Sequence, residues 1–306
     1  MIAEGPYFDE LQIGQVFDHA PPIMLTSGLA STHQAILGDR LPAPLLGVMA
    51  HPALVWDVAI GHSSLVTHHV KANLFYRGLA FHRFPRVGDT LRTTTEIVGL
   101  RENQRKDGRS PTGLAALRIT TVDQEDRKVL DFHRCAMLPL RDDSPTGHDD
   151  DLSALGSAPG DLSEVAATWP LHDASAPELR EGDVVEIVGG DVVSSAPELA
   201  RLTLNIAKVH HDEAAGGGRR LVYGGHTIAL ALAQAARALP QLATVVAWDG
   251  CDHVGPVHEG DTLRSRLEVG HVRPLTTGGR LVDLRSLVTA DPDRGVLDWR
   301  FTALLT

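Results

Sequence analysis

The sequence predicts an α+β protein made of two copies of one unit, each a long antiparallel sheet wrapped around a single buried helix. Three features predict it: an internal duplication, hairpin-forming strands in both copies, and one helix per copy that is apolar on nearly every side.

The duplication sets the frame for everything else. Gly88-Asp89-Thr90-Leu91-Arg92 returns 172 positions later as Gly260-Asp261-Thr262-Leu263-Arg264. Val129-Leu130-Asp131-Phe132 returns 167 positions later as Val296-Leu297-Asp298-Trp299. Near the start of each copy, Leu11-Gln12-Ile13-Gly14-Gln15-Val16 matches Leu179-Arg180-Glu181-Gly182-Asp183-Val184, 168 positions on. Three matches in one order at nearly one offset are not chance. Two copies are too few for a solenoid, so the halves are expected to pack together as a pseudo-dimer. The copies are assigned to residues 1–140 and 179–306. Between them, 141–178 carry Asp142, Asp143, Asp149, Asp150, Asp151 and Asp161 with Pro145, Pro159, Pro170 and Pro177, the composition of a solvated linker.

Within each copy a Gly-Asp turn opens a strand, over Thr90–Leu100 and Thr262–Val269, where apolar and polar residues alternate or are β-branched. Two more strands follow in each, Gly113–Val122 with Val129–Leu138, and Arg280–Thr289 with Val296–Leu304. Polar turns split each pair, which makes antiparallel hairpins. Asp89 and Asp261 are read as turn residues without chemistry. The helix of the second copy is expected over His226–Leu239, rich in Ala, Leu and Ile and closed by Pro240. That of the first copy is expected over about Ala50–Ile60, with Pro52 tolerable in a first turn. A helix apolar on almost every side must be buried.

Composition removes several classes of function. Hydrophobic residues at 43% and charged residues at 22% supply a real core. A net charge of −11 argues against a nucleic-acid surface, which needs clustered Lys and Arg. The longest apolar stretches, such as Ile228–Ala236, are too short to span a bilayer. Glu4, Asp9 and Glu10 stand where a targeting segment would be basic, and two cysteines, Cys135 and Cys251, imply no disulfide framework; the expected setting is reducing and cytoplasmic. None of the sixteen histidines falls into a metal-binding spacing such as His-Glu-x-x-His, so no metal is expected.

The chemistry gathers in the second copy. Asn205 is followed five residues later by His210, then by Gly216-Gly217-Gly218 and by Arg219-Arg220-Leu221-Val222-Tyr223-Gly224-Gly225-His226 leading into the helix. The Gly run lacks the Lys-Ser/Thr of a phosphate-binding loop and is read as a flexible connection. The whole stretch resembles the signature of the MaoC-like (R)-specific enoyl-CoA hydratases: an acid, a histidine five residues on, and a Gly-containing segment opening the central helix. Asn205 falls on that family's catalytic aspartate and His210 on its catalytic histidine. Tyr7-Phe8-Asp9-Glu10-Leu11 and Gly88-Asp89-Thr90-Leu91 extend the likeness through the first copy, toward the double-hotdog branch around mesaconyl-CoA hydratase and its actinobacterial relatives. The resemblance implies a double hotdog fold and a hydro-lyase acting on a thioester of coenzyme A or of an acyl carrier, without a cofactor.

Two departures from the family pattern stand out. The aspartate is Asn205, and the matching stretch of the first copy, Gly38-Asp39-Arg40-Leu41-Pro42-Ala43-Pro44, has Pro44 where the histidine would lie. The second copy is therefore read as the working one. The first is read as degenerate, its site freed to make room for a bulky or branched acyl chain.

Adding water to an alkene conjugated with a thioester needs a water held and deprotonated, a proton for the α-carbon, and support for an enolate-like transition state. His210 can move the proton near neutral pH. Asn205 takes no proton, but its amide can fix the water. Backbone N–H groups of Gly224 and Gly225 at a helix start can bind the thioester oxygen, and glycine lets the acyl group approach. Tyr223, His226 and Arg220 complete the expected substrate-binding set, with Arg220 or Arg219 assigned by charge to the phosphates of coenzyme A. Plainer roles stand beside these: a turn cap for Asn205, a tight helix entry for the glycines, packing for Tyr223 and His226, structure for Asp39. Two rival functions remain open, a thioesterase on the same fold and an acyl-thioester-binding protein without catalysis. An internal pseudo-dimer suits a monomer, without forbidding a homodimer.

Overall fold

The computed structural model describes residues 4–41, 49–156, 159–171, 178–291 and 293–306. Pro42 and Pro44, on which the degenerate first-copy motif rests, lie outside them.

Strand alternation is what builds the sheet. In the first half, β1 (Val16–Phe17), β2 (Ile23–Met24), β3 (Ala72–Phe81), β4 (Thr90–Glu102), β5 (Thr112–Val122) and β6 (Lys128–Pro139) are followed in the second by β7 (Val184–Glu186), β8 (Asp191–Val192), β9 (Leu242–His253), β10 (Thr262–Pro274), β11 (Arg280–Ala290) and β12 (Arg294–Leu305). In β4, Leu91, Thr93, Thr95 and Ile97 are buried while Arg92 and Thr94 are exposed; Leu263, Ser265, Leu267 and Val269 repeat this in β10. Period-two burial of this kind makes one face of the sheet the core face. The repeated turns ahead of both strands are identical in construction. Asp89 accepts the backbone N–H of Arg86 at 2.8 Å, and Asp261 that of His258 at 2.9 Å.

The path through the sheet runs β1-β4-β5-β6-β3-β9-β12-β11-β10-β7, so the second half repeats the first in mirrored order. The halves join where β3 pairs antiparallel with β9, with Tyr76 opposite Cys251 and Leu79 opposite Trp248. Sequence patterning misses this central pair. β9 is buried along nearly its whole length, and a strand covered on both faces loses the alternation that betrays a half-exposed one.

Inside the sheet lie α2 (Pro52–His62) and α5 (Gly224–Ala238); α1 (Ser27–Leu37) packs against α5 and against α4 (Ala196–Leu202), and the short α3 (Ser163–Ala166) lies in the connection between the halves. Every residue of α2 is buried. Pro52 occupies its first turn, and His51 caps it by accepting the Ala53 N–H on Nδ1 at 3.0 Å. The helix of the second half begins two residues before the sequence expectation, so Gly224 and Gly225 form its first turn rather than precede it. Trp56 of α2 meets Trp248 of β9 edge-on at 4.9 Å, and Trp248 meets Trp299 of β12 at 5.6 Å, an aromatic seam that ties the halves together. The acidic, Pro-rich connection is not wholly solvated. Leu152, Val165 and Trp169 are buried, and Trp169 packs edge-on against Phe84 at 4.7 Å.

Gly61 marks a close approach between the halves. A Cβ there would overlap the carbonyl oxygen of Thr203, two residues before Asn205. A backbone oxygen cannot swing aside as a side chain can. Gly61→Ala is expected to destabilise the protein by about 3 kcal/mol, read as a lower urea midpoint.

Candidate active site

The start of α5 opens into a cavity of about 230 Å³ lined by both halves. Tyr223, Gly224, Thr227, His210 and His253 line it from the second half; Asn73, Tyr76 and Arg134 do so from the first, with exposed Lys71 among the lining residues. By position, the first N–H groups of a helix have no acceptor within it, so the Gly224 end presents donors and the positive end of the helix dipole.

His210 stands in a single 3-10 turn, Lys208–His210, clamped to the strand-like segment before α5: Leu221 donates its N–H to Val209 at 2.9 Å. Its Nδ1 lies 2.8 Å from the Leu221 carbonyl. A carbonyl only accepts, so Nδ1 holds the proton and Nε2 keeps a lone pair. Burial pushes the imidazole down to about 4, helped by the nearby Arg134 and His211 charges, against the Leu221 hydrogen bond. At neutral pH His210 is an uncharged base of fixed tautomer.

Tyr223 precedes the helix with its ring 5.8 Å from that of His210, and its hydroxyl donates to the Asp57 carbonyl at 3.0 Å. A Cβ at Gly224 would come 2.7 Å from Nε2 of His253. One at Gly225 would overlap the Asp57 carboxylate, so that glycine is required by packing against α2. Gly225 is not among the residues lining the cavity.

Three further expected site residues stand elsewhere. Asn205 is not among the lining residues; its Oδ1 accepts the Ala207 N–H at 3.0 Å, and it borders a second cavity of about 410 Å³ with His62 and His211. The short turn leading to His210 is what commits this amide oxygen. His226 points into the core, fully buried, with neither ring nitrogen hydrogen-bonded. Arg220 is consumed by Glu213 at 2.8 Å and Glu259 at 3.0 Å, away from the cavity. Asp39 forms a buried pair with His51 at 3.1 Å, a structural part. A larger groove of about 930 Å³ crosses the outer sheet face, but its charges pair with one another, Arg273 with Asp283 and Arg285 with Glu268.

Sequence reasoning missed Arg134, Asn73 and His253. His253 ends β9 with Nε2 buried and without a partner, and burial holds it down to about 4. No local motif joins these residues to His210; only the β3–β9 seam does.

The chain is 31% identical over 292 residues to the beta-methylmalyl-CoA dehydratase of Chloroflexus aurantiacus, which spans 87% of this chain and 82% of that protein. A solved MaoC domain protein from Chloroflexus aurantiacus superposes with a TM-score of 0.86 at 26% identity, over 98% of this chain and 97% of that one. The chain belongs to the MaoC-like hydratase/dehydratase family. This MaoC-like chain is also 27% identical over 337 aligned positions to the mesaconyl-CoA hydratase of Cereibacter sphaeroides, covering 98% of this chain and 89% of that protein. A Mycobacterium tuberculosis protein described as a double hotdog shares 53% identity and a TM-score of 0.87, with 99% of each chain covered. The fold is a double hotdog, as the duplication and strand pattern predict. No known protein-family profile matches the chain. Among the described residues, no helix is long and apolar enough to cross a membrane.

Proposed function

We propose that this protein is a hydro-lyase interconverting an enoyl thioester and its 3-hydroxyacyl form at the start of α5, with His210 handling the water. One observation carries this: a neutral imidazole, its tautomer fixed by Leu221, with Nε2 left free in a cavity that also holds the donor end of a buried helix. Nε2 takes a proton from water as the water oxygen bonds to the β-carbon. The alkene electrons pass to the thioester oxygen, held by the first N–H groups of α5, and the proton returns from Nε2 to the α-carbon. Both added atoms groups, hydrogen and hydroxyl, come from water, so the reaction balances without a redox partner. The relatives' names support a coenzyme A thioester, and Lys71 is an exposed cation available to its phosphates. The chain contains both halves of the cavity, so a single copy suffices. Among the described residues no carboxylate lines the cavity, which disfavours a thioesterase with a carboxylate nucleophile or base. Turnover is tested by the decay of the enoyl-thioester absorbance with short, branched and long substrates; release of free thiol instead would favour the thioesterase.

Asn205 acts in this account through the backbone turn it caps, as a positioning residue. Asn205→Asp keeps the acceptor and is expected to keep activity, while Asn205→Ala lowers stability by about 1 kcal/mol and lowers kcat with it. If Asn205 held the water itself, Asn205→Ala would lower kcat with the melting temperature unmoved.

A further inference from the structure

Packing leaves the hydroxyl of Tyr76 unexplained. The residue is 1% exposed, and among the described residues its hydroxyl has no hydrogen-bond partner. A buried hydroxyl that gives up water and gains nothing in return is destabilising, so an unmade bond of this kind needs a reason. The other buried tyrosine, Tyr223, is satisfied, because its hydroxyl donates to the Asp57 carbonyl. Unlike the ring nitrogens of His226, the Tyr76 oxygen is not sealed in the core, and the residue lines the cavity that holds His210 and Gly224.

The repeat shows what packing alone asks of this position. Across the seam Tyr76 faces Cys251 and Leu79 faces Trp248. The offset of 172 that relates the two Gly-Asp turns carries Tyr76 onto Trp248 and Leu79 onto Cys251. Trp248 is fully buried and lines no part of this cavity. The fold therefore accepts a ring without a hydroxyl here, and the hydroxyl stands on the copy that faces the site. Its ring is held on three sides, edge-on to Trp248 at 5.8 Å and to His253 at 5.8 Å, and tilted against Phe132 at 5.9 Å. Such packing fixes the hydroxyl before any substrate arrives. His253 in turn lies against Gly224, which opens α5. Burial raises the pKa of the phenol, against the pull of the nearby Arg134 charge, so it keeps its proton and serves as a donor.

We infer that Tyr76 is a further catalytic residue, whose hydroxyl donates a hydrogen bond to the thioester oxygen beside the first N–H groups of α5. This rests on the hydration proposed at the same site. In the substrate that oxygen is a carbonyl; as water bonds to the β-carbon it takes up the alkene electrons and becomes enolate-like. The bond from Tyr76 strengthens along that path, which is what lowers a barrier. No proton changes hands here. It stays on the phenol oxygen, and the proton for the α-carbon still comes from His210. Among the described residues no carboxylate lines the cavity, so no fixed negative charge opposes the developing one.

Tyr76→Phe keeps the ring packing and removes only the hydroxyl. Its kcat is expected to fall by about 10²-fold with KM moved far less, as for loss of one donor to a developing oxyanion. The melting temperature should hold or rise, because the lost hydroxyl bonds nothing in the protein; a structural hydroxyl would give the reverse. Infrared difference spectra supply a readout without turnover, using saturated butyryl-CoA and isobutyryl-CoA labelled with heavy carbon at the thioester carbonyl. Hydrogen bonding lowers a carbonyl stretching frequency, so binding to the native protein should lower it, and Tyr76→Phe should return part of that shift. An undiminished kcat or an unchanged carbonyl shift in Tyr76→Phe overturns the inference and leaves hydration standing. A native protein that shifts neither carbonyl overturns it whatever its turnover. A shift that depends on Tyr76, in a protein that hydrates no enoyl thioester, would uphold the contact and sink the proposed hydration.

Discussion

Replacing His210 by alanine is expected to lower kcat by about 10²–10⁴-fold, the range that loss of a positioned proton-transfer group produces. The thioester keeps its helix-end donors in this variant, so KM should move far less than kcat. Stability should change little, because the imidazole borders a cavity and its one polar bond, to the Leu221 carbonyl, faces space that water can enter. The pH profile gives a second readout. With the imidazole held down to about 4, the base form persists well below neutrality. The acid limb of kcat/KM is therefore expected near pH 4, more than two pH units below that of an exposed histidine. Stopped-flow assays below pH 5 are needed to reach it before the fold is lost.

That loss is the second large effect. His62, His210, His226 and His253 are each held down to about 4, in every case first by burial. In the unfolded chain they titrate near 6.5. Above that pH both states are neutral and nothing is at stake. As pH falls from 6.5 toward 4, the unfolded chain takes up protons that the native state refuses, so stability falls throughout that window and is fully forfeited below it. Each group contributes on the order of 3 kcal/mol to the loss, and the four together rival the 5–15 kcal/mol of a typical domain. Asp57 pulls the other way, since burial raises its carboxyl, but it is one group against four. Thermal melts are expected to fall steeply between pH 6.5 and 4.5. His226 is fully buried with both ring nitrogens unpartnered, so His226→Leu should move the acid transition to lower pH. A melting temperature that stays flat over this range would show that these imidazoles are not buried as described.

Much of the architecture is legible in the residues themselves. Repeated Gly-Asp turns, alternating strands and two all-apolar helices report local physics, and each lies where the residues ask for it. β9 is missed because burial on both faces leaves it no alternation, and β3, half-buried along most of its length, shows no clean period of two either. The site divides along the same line. His210, Tyr223 and Gly224 are close in sequence, share one connection into α5, and meet at one cavity. Asn205 obeys the family spacing, yet its side-chain oxygen satisfies a turn two residues on, the competing use that short amides always offer. Arg220 looked like a phosphate ligand by charge alone, and neighbouring glutamates claim it. Arg134 and His253 approach His210 only through tertiary pairing.

The central claim is that water adds to an alkene in the cavity beside His210 while the thioester stays whole. Running the reaction in heavy-oxygen water and weighing the product tests it directly. One heavy oxygen is expected in a new 3-hydroxyl group of an intact coenzyme A thioester, formed by the native protein and nearly lost in His210→Ala. Heavy oxygen appearing in a released carboxylate beside free thiol, or equal labelling by the His210 variant, would contradict it.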